Sequence, residues 1–252
     1  MLKMLSTGLF LFFITAAFTS SAHAQDADEL RIGNFQGALD LLVAAPQGDF
    51  KENTDQIGVG LNMDLGYVFP RIPVVIGGTF AYAMYSSETA NVPFSLTVGN
   101  LVNVDVTTSN NLALGHLFLR LQPQDGVFRP YAEGLAGFSY FWTESTVESE
   151  WSDEDIASST NLDDFVFSYG AGGGVMFRVY RGETDEPGKG MEVFIDLKVR
   201  YLYGGEAKYY AFDDENMPLV TDANGAPALD ESKALQSSTD MLNFLIGVSV
   251  RI

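Results

Sequence analysis

The 252-residue chain offers few residues that could serve as nucleophile, base or metal ligand: two histidines, no cysteine and 33 acidic side chains. His23 lies in an N-terminal leader, so His116 is the one imidazole of the processed chain. Catalysis by His116 would need a nucleophile and an orienting group within reach. No serine motif surrounds it, and it falls on the least regular apolar run of the chain. The sequence therefore points to an imidazole in an interior hydrogen-bond network near Arg120, and not to a catalytic residue.

The acids cluster. Glu144, Glu148, Glu150, Asp153, Glu154, Asp155, Asp163 and Asp164 share the stretch from Thr143 to Asp164 with no Lys or Arg. A second group, Glu206, Asp213, Asp214, Glu215, Asp222, Asp230 and Glu231, follows Gly204. Clustered carboxylates can hold Ca²⁺ or Mg²⁺. The stretch Asp222-Ala223-Asn224-Gly225 approaches a calcium loop, but its glycine comes too early and Lys233 stands at the twelfth position. A solvated acidic face fits better than a specific metal site, weak divalent-cation bridging stands between the two, and no cofactor is expected. Trp151, alone among the acids, either contacts a partner or packs the loop on itself.

These residues are positioned by segments of alternating apolar and polar character, the signature of half-buried strands. Eight such runs occur: Asn34 to Val43, Ile57 to Phe69, Val74 to Tyr85, Leu112 to Leu121, Pro130 to Trp142, Phe165 to Val179, Glu192 to Tyr203, and Leu242 to Ile252. In the second run Ile57, Val59, Leu61, Met63, Leu65, Tyr67 and Phe69 face one way, against Gly58, Gly60, Asn62, Asp64 and Gly66. The fourth is the least clean, with Leu112, Leu114 and Phe118 on its polar side. No helical periodicity of useful length is present. Short and long connections alternate, so the long ones leave from one end of the sheet.

Residues 1–24 read as a secretory signal peptide. Lys3 opens it, Leu9 to Phe18 is its apolar core, and Ala22-His23-Ala24 is a small-x-small cleavage site. The apolar core is too short to span a bilayer as a helix. Residues 25–33 then form a short periplasmic lead-in, and 34–252 one barrel domain. Of 14 Lys and Arg, one (Lys3) leaves with the leader, so 13 remain against 33 acids, a net charge near −20. That excludes nucleic acid, whose binding depends on cationic contacts to phosphate. Yet 46% of the chain is hydrophobic, so charge and apolar surface must be separated in space.

A closed transmembrane barrel separates them. Several runs reach ten or more residues, the length of a tilted spanning strand, about 9–11. In hydrocarbon every backbone polar group must be paired, so the sheet must close, with the last run pairing to the first. The polar face carries Asp40, Asp64, Glu133, Glu192 and Asp196 with Arg120, Arg178, Lys198 and Arg200: five acids against four bases, close to the balance a narrow interior requires. Glycines on that face leave room for the long cations. Aromatic residues fall into two girdles at the lipid interfaces, with Tyr82, Phe138, Tyr140, Trp142, Phe167, Tyr169, Tyr201 and Tyr203 at the upper rim and Tyr67 and Phe69 at the lower. The fold class is therefore all-β: an eight-stranded antiparallel up-and-down transmembrane β-barrel. If Ser95 to Val98 and Val102 to Val106 form an additional hairpin, it has ten strands.

The leader, the eight amphipathic runs, the stretch RPYAEGLAGFSYFW (Arg129 to Trp142) and the terminal LNFLIGVSVRI resemble the small outer-membrane β-barrel proteins of Gram-negative bacteria, of the OmpA-like and OmpX-like kind, without a periplasmic domain. The resemblance covers Asn34 to Ile252. It implies an outer-membrane location with the N-terminus periplasmic and the long loops extracellular. It also implies contact with outer-membrane lipid and lipopolysaccharide, assembly by the barrel-insertion machinery, and a monomer. Members usually end in Phe or Trp, whereas this chain ends in Ile252. The expected role is structural or interactive, a plugged barrel displaying acidic loops. A narrow channel or small-solute transporter, and a lipid-modifying enzyme, are the alternatives.

Overall fold

The computed structural model describes residues 33–54, 56–93, 103–149, 152–182, 190–211, 219–221 and 227–252. The leader, the lead-in up to residue 32, the Ser95 to Val98 stretch, Trp151 and the Asp222 to Gly225 stretch lie outside them.

Eight strands close a barrel: β1 (Phe35–Pro46), β2 (Gly58–Val68), β3 (Val74–Pro93), β4 (Asn103–Leu121), β5 (Phe128–Ser149), β6 (Ser152–Gly182), β7 (Met191–Gly204) and β12 (Met241–Arg251). Every barrel pair is antiparallel, and all but the closing pair β1–β12 join barrel strands that follow one another along the chain. Phe35 N donates to Ile252 O at 3.0 Å and Ile252 N donates back to Phe35 O at 2.8 Å. The last strand is thus paired by the first.

The long β7–β12 connection carries β8 (Glu206–Tyr209), β9 (Leu219–Thr221), β10 (Pro227–Leu229), a single 3₁₀ turn at Glu231–Lys233 and β11 (Leu235–Ser238). β8 pairs with β11 and β9 with β10. The β1–β2 connection folds into one short helix, α1 (Gly48–Asn53), too short for a periodicity to show in the sequence.

The structure lengthens the strands expected from the sequence. The stretches after Tyr85 and Trp142, read as loops, are the arms of two hairpins. β3 and β4 stay paired to Pro93↔Asn103, and β5 and β6 to Ser149↔Ser152. Residues 103–106, one half of the hairpin that would have made ten strands, extend β4 instead, so the barrel has eight. Burial still alternates along these arms, with Ser86, Thr108, Asn110 and Thr143 buried, but the buried positions are mostly polar, so no apolar face shows in the sequence.

The outer wall is apolar. Leu117 is 75% exposed, Val59 62% and Leu41 61%. Soluble monomers rarely expose a contiguous apolar patch beyond a few hundred Å². No described helix is long and apolar enough to cross a membrane.

Candidate functional site: the barrel interior and its upper rim

The interior is layered along the barrel axis. The lowest layer is polar. Arg129 Nη2 donates to both carboxylate oxygens of Glu192 at 2.9 and 2.8 Å, and its guanidinium lies 4.6 Å over the Phe194 ring. Arg178 Nη1 reaches Glu192 at 2.6 Å from the mouth, where it stays partly exposed. A bulge between Arg178 and Tyr180 turns the Tyr180 side chain outward. Gln122 Nε2 donates to Gln36 Oε1 at 3.0 Å, and Gln36 Nε2 to Ser249 Oγ at 3.1 Å.

Above it lies a connected charge cluster. Asp64 Oδ2 accepts from Lys198 at 2.8 Å, Arg200 at 2.9 Å and Arg120 at 3.0 Å. Glu133 takes Arg200 Nε at 2.7 Å and Arg120 Nε at 2.8 Å. Lys198 also holds Asp40 at 2.8 Å and Asp196 at 3.3 Å. The Tyr131 hydroxyl donates to Asp196 at 2.8 Å, and its ring lies 4.3 Å from the Arg120 guanidinium. Glycine makes this packing possible at two places. A Cβ on Gly174 would sit 2.6 Å from Tyr131 Cζ, and one on Gly172 would sit 2.9 Å from Arg200 Cγ. The second is the room for long cations expected from the sequence; the first serves a tyrosine.

The structure thus brings together Asp40, Asp64, Arg120, Glu133, Asp196, Lys198 and Arg200, and places Glu192 and Arg178 one layer below. Sequence reasoning missed Arg129, one residue before the start assigned to the fifth run. With it, the groups in ion pairs of 3.3 Å or less among the described residues are five carboxylates and five cations. A buried charge is tolerated when it is paired and hydrogen-bonded, and these are.

His116 lies in the interior but not against Arg120. Its Nε2 is 2.8 Å from Ser168 Oγ, which accepts in turn from Ser139 Oγ at 2.8 Å. A hydroxyl beside an imidazole is the first requirement of nucleophilic catalysis. The two remaining requirements, an orienting acid and room for a substrate, are not met by what surrounds the pair. No carboxylate among the described residues bonds His116, and the neighbouring cavity measures about 10 Å³, room for about one water molecule.

The third layer was missed altogether. Leu42, Ala81, Leu112, Leu114, Leu135, Leu202 and Leu245 point inward and are buried. Phe50 of α1 packs above this layer, edge-on to Tyr209, Phe141 and Tyr85 at centroid distances of 4.9, 5.8 and 6.0 Å. The irregular fourth run was the signal: Leu112 and Leu114 sat on the polar side because here the interior is itself apolar.

On the outside, the girdle residues gather as pairs at the upper rim. Tyr140 stacks on Trp142 at 5.3 Å and Tyr82 leans on Trp142 at 5.8 Å, while Tyr169 stacks on Tyr203 at 5.5 Å. Phe138 stacks on Phe165 at 4.9 Å, Phe167 on Tyr169 at 6.0 Å, and Tyr201 meets Tyr203 at 4.8 Å. At the lower rim Tyr67 contacts Phe69 at 5.3 Å and Phe35 at 5.6 Å. Among the described residues no His, Asp and Glu side chains converge as metal ligands; most acids of the β5–β6 hairpin tip fall outside the described side chains. In the last connection, Ser232 donates its N–H and hydroxyl to Asp230 at 3.0 and 2.6 Å, which holds that carboxyl below its usual range.

No protein-family model matches the chain, and no curated protein matches it in sequence. Among solved structures it is similar to Ail, the attachment invasion locus protein of Yersinia pestis, in complex with the heparin analogue sucrose octasulfate. The identity is 12%, the TM-score 0.43, and 88% of this chain and 99% of that one are covered. It is also similar to Neisserial surface protein A, at 11% identity and TM-score 0.39 over 86% of this chain and 96% of that one. A major outer membrane protein from Thermus thermophilus gives 10%, 0.42, 86% and 99%. At these values the likeness transfers no activity or partner. The eight-stranded barrel rests on this chain's own strand pairing.

Proposed function

We propose that this chain is an outer-membrane barrel with a filled interior, acting as a rigid anchor that displays acidic hairpins and loops outside the cell. The observation that carries this reading is the inversion of burial. Ion pairs and glutamines fill the inside, leucines and valines cover the outside, and Phe50 stoppers the upper end. A barrel of eight strands has an interior just wide enough for side chains to fill. On this reading residues 1–24 are removed on export. The short turns and the N-terminus face the periplasm, and the insertion machinery builds the barrel into lipid and lipopolysaccharide. The protein works as a monomer, and the acidic tips interact through charge with divalent cations or cationic partners.

The test uses purified protein refolded in detergent. Gel mobility that shifts on boiling, a β-type far-UV spectrum and silence in planar bilayers support the reading. Discrete conductance steps overturn the filled interior and favour a narrow channel. Protein that is soluble without detergent and indifferent to boiling overturns the membrane assignment.

A further inference from the structure

The barrel wall has a seam at its upper rim. β6 remains paired with β5 as far as Ser149↔Ser152, but its ladder with β7 stops at Ser168↔Gly204. Above that pair the chain after β7 turns aside, and β8 pairs with β11 instead. Gly205 N to Phe167 O at 3.1 Å and Lys208 N to Asp164 Oδ2 at 2.9 Å tie the chain after β7 to β6 beyond the ladder. The seam leaves a recess of about 540 Å³ lined by Phe167, Tyr169, Tyr203, Glu206 and Asp240 together with the Gly204–Gly205 backbone. That volume is in the range of small-ligand sites, about 300–1,000 Å³.

The lining has a definite chemistry. Phe167, Tyr169 and Tyr203 present a continuous wall of rings, stacked at 6.0 and 5.5 Å, and each ring is at least half exposed. Asp240 is fixed beside them, accepting from Gly204 N at 3.1 Å and from the Tyr201 hydroxyl at 3.3 Å. Glu206 accepts from Gln236 at 3.3 Å. No ion pair to either carboxylate is found among the described residues. Ring faces and carboxylates together select a cation, and the outward position beside the apolar wall selects one that carries a hydrocarbon chain.

We propose that this seam binds the ammonium head of an amphiphile, with the rings and the two carboxylates around the cation and the chain lying along the outer wall. The proposal rests on the barrel standing in a bilayer. Boiling-dependent gel mobility of every variant reports that separately from binding.

The probe is hexyltrimethylammonium, added to protein in dodecyl maltoside and followed by saturation transfer from the aromatic rings to the N-methyl protons, with empty micelles as blank. Saturable transfer is expected for this probe and not for hexyl sulfate. The expected weakening is about tenfold in Tyr203→Ala and in Asp240→Asn, a loss of the size a partly desolvated cation–ring contact supplies. Leu117→Ala, distant on the wall, leaves binding unchanged. Equal transfer to the sulfate, or binding that the folded Tyr203→Ala and Asp240→Asn variants retain, overturns the proposal. Asp240→Asn keeps an oxygen to accept from Gly204 N, so it tests charge without removing that bond.

Discussion

Asp64 on β2 and Arg200 on β7 meet across the barrel interior at 2.9 Å, although their strands are not neighbours in the wall. Around the same Asp64 oxygen stand Lys198 and Arg120. Asp64→Asn therefore leaves three buried cations short of one partner, and removing one side of a buried ion pair costs about 3–5 kcal/mol. Arg200→Gln alone is expected to destabilise by a similar amount. Because the two share a contact, the double variant is expected to lose less than the two losses added, by about 0.5–3 kcal/mol. Urea titration, read by loss of the fast-migrating folded band, measures all three. Strict additivity would mean that the pair is not coupled.

Gly174 and Tyr131 give a prediction of opposite character, one of space and not of charge. The ring of Tyr131 occupies the volume a side chain at position 174 would take. Gly174→Val must push Tyr131 away from Asp196 and Arg120, and overpacking of this sort costs about 1–3 kcal/mol. Gly134→Ala, where a Cβ meets no atom within 4 Å, is the matched control and is expected to be tolerated. The comparison is made by urea midpoint in detergent.

Closure of the cylinder depends on β12. The paired bonds between Phe35 and Ile252 set the alternation along the β1–β12 ladder. Hydrogen-bonded pairs recur every second residue, so Val248, opposite Leu39, donates its N–H toward β1. Val248→Pro removes that donor from the closing ladder. The folded, boiling-sensitive band is expected to vanish, and Ser249→Ala, one residue on, should keep it.

Most of the strand pattern was legible because a wall between lipid and a polar interior imposes two chemically different faces, and period two is then visible in β1, β2, β7 and β12. Where the two faces stop differing, the pattern stops. At residues 86–89 and 143–146 the buried positions are polar, Ser86 and Thr143 among them, so their strands read as loops. At Leu112 and Leu114 both faces are apolar, so a sound strand reads as an irregular one. The charged interior was legible as a set of residue types, yet its partners were not. That His116 meets Ser168, 52 residues away, and not Arg120 four residues on, follows from strand order and register, which no local window contains. Arg129 falls outside the alternation for a local reason: Pro130 reads as a strand start, since proline is tolerated near a strand's beginning.

The absence of native cysteine makes the orientation testable by single introduced thiols. Ser87, in the β3–β4 hairpin, and Asp125, in the β4–β5 turn, lie at opposite ends of the barrel and are both exposed. With the hairpins outside the cell, Ser87→Cys is expected to react with a membrane-impermeant maleimide on intact cells. Asp125→Cys should react only after the outer membrane is breached. The reverse pattern would invert the barrel and place the acidic hairpins in the periplasm.

On the proposed filled interior, Phe50 and the charge cluster are separate fillings, and each can be removed alone. Phe50 closes the top by ring contacts with Tyr85, Phe141 and Tyr209. The ion cluster around Asp64 lies below and touches none of these residues. Phe50→Ala loses buried aromatic packing, a change worth about 3–5 kcal/mol in a well-packed core, and less here, because α1 can settle into the gap. Conductance should nevertheless remain at zero, since the leucine layer and the paired charges beneath still fill the section. An opening that appears in Phe50→Ala alone would show that α1 is the whole barrier. One that appears in Asp64→Asn alone would place the barrier in the charge cluster. If the interior is filled in series, both singles and the double stay silent, because the leucine layer remains in each, and planar-bilayer recordings of the two singles and the double decide among these three outcomes.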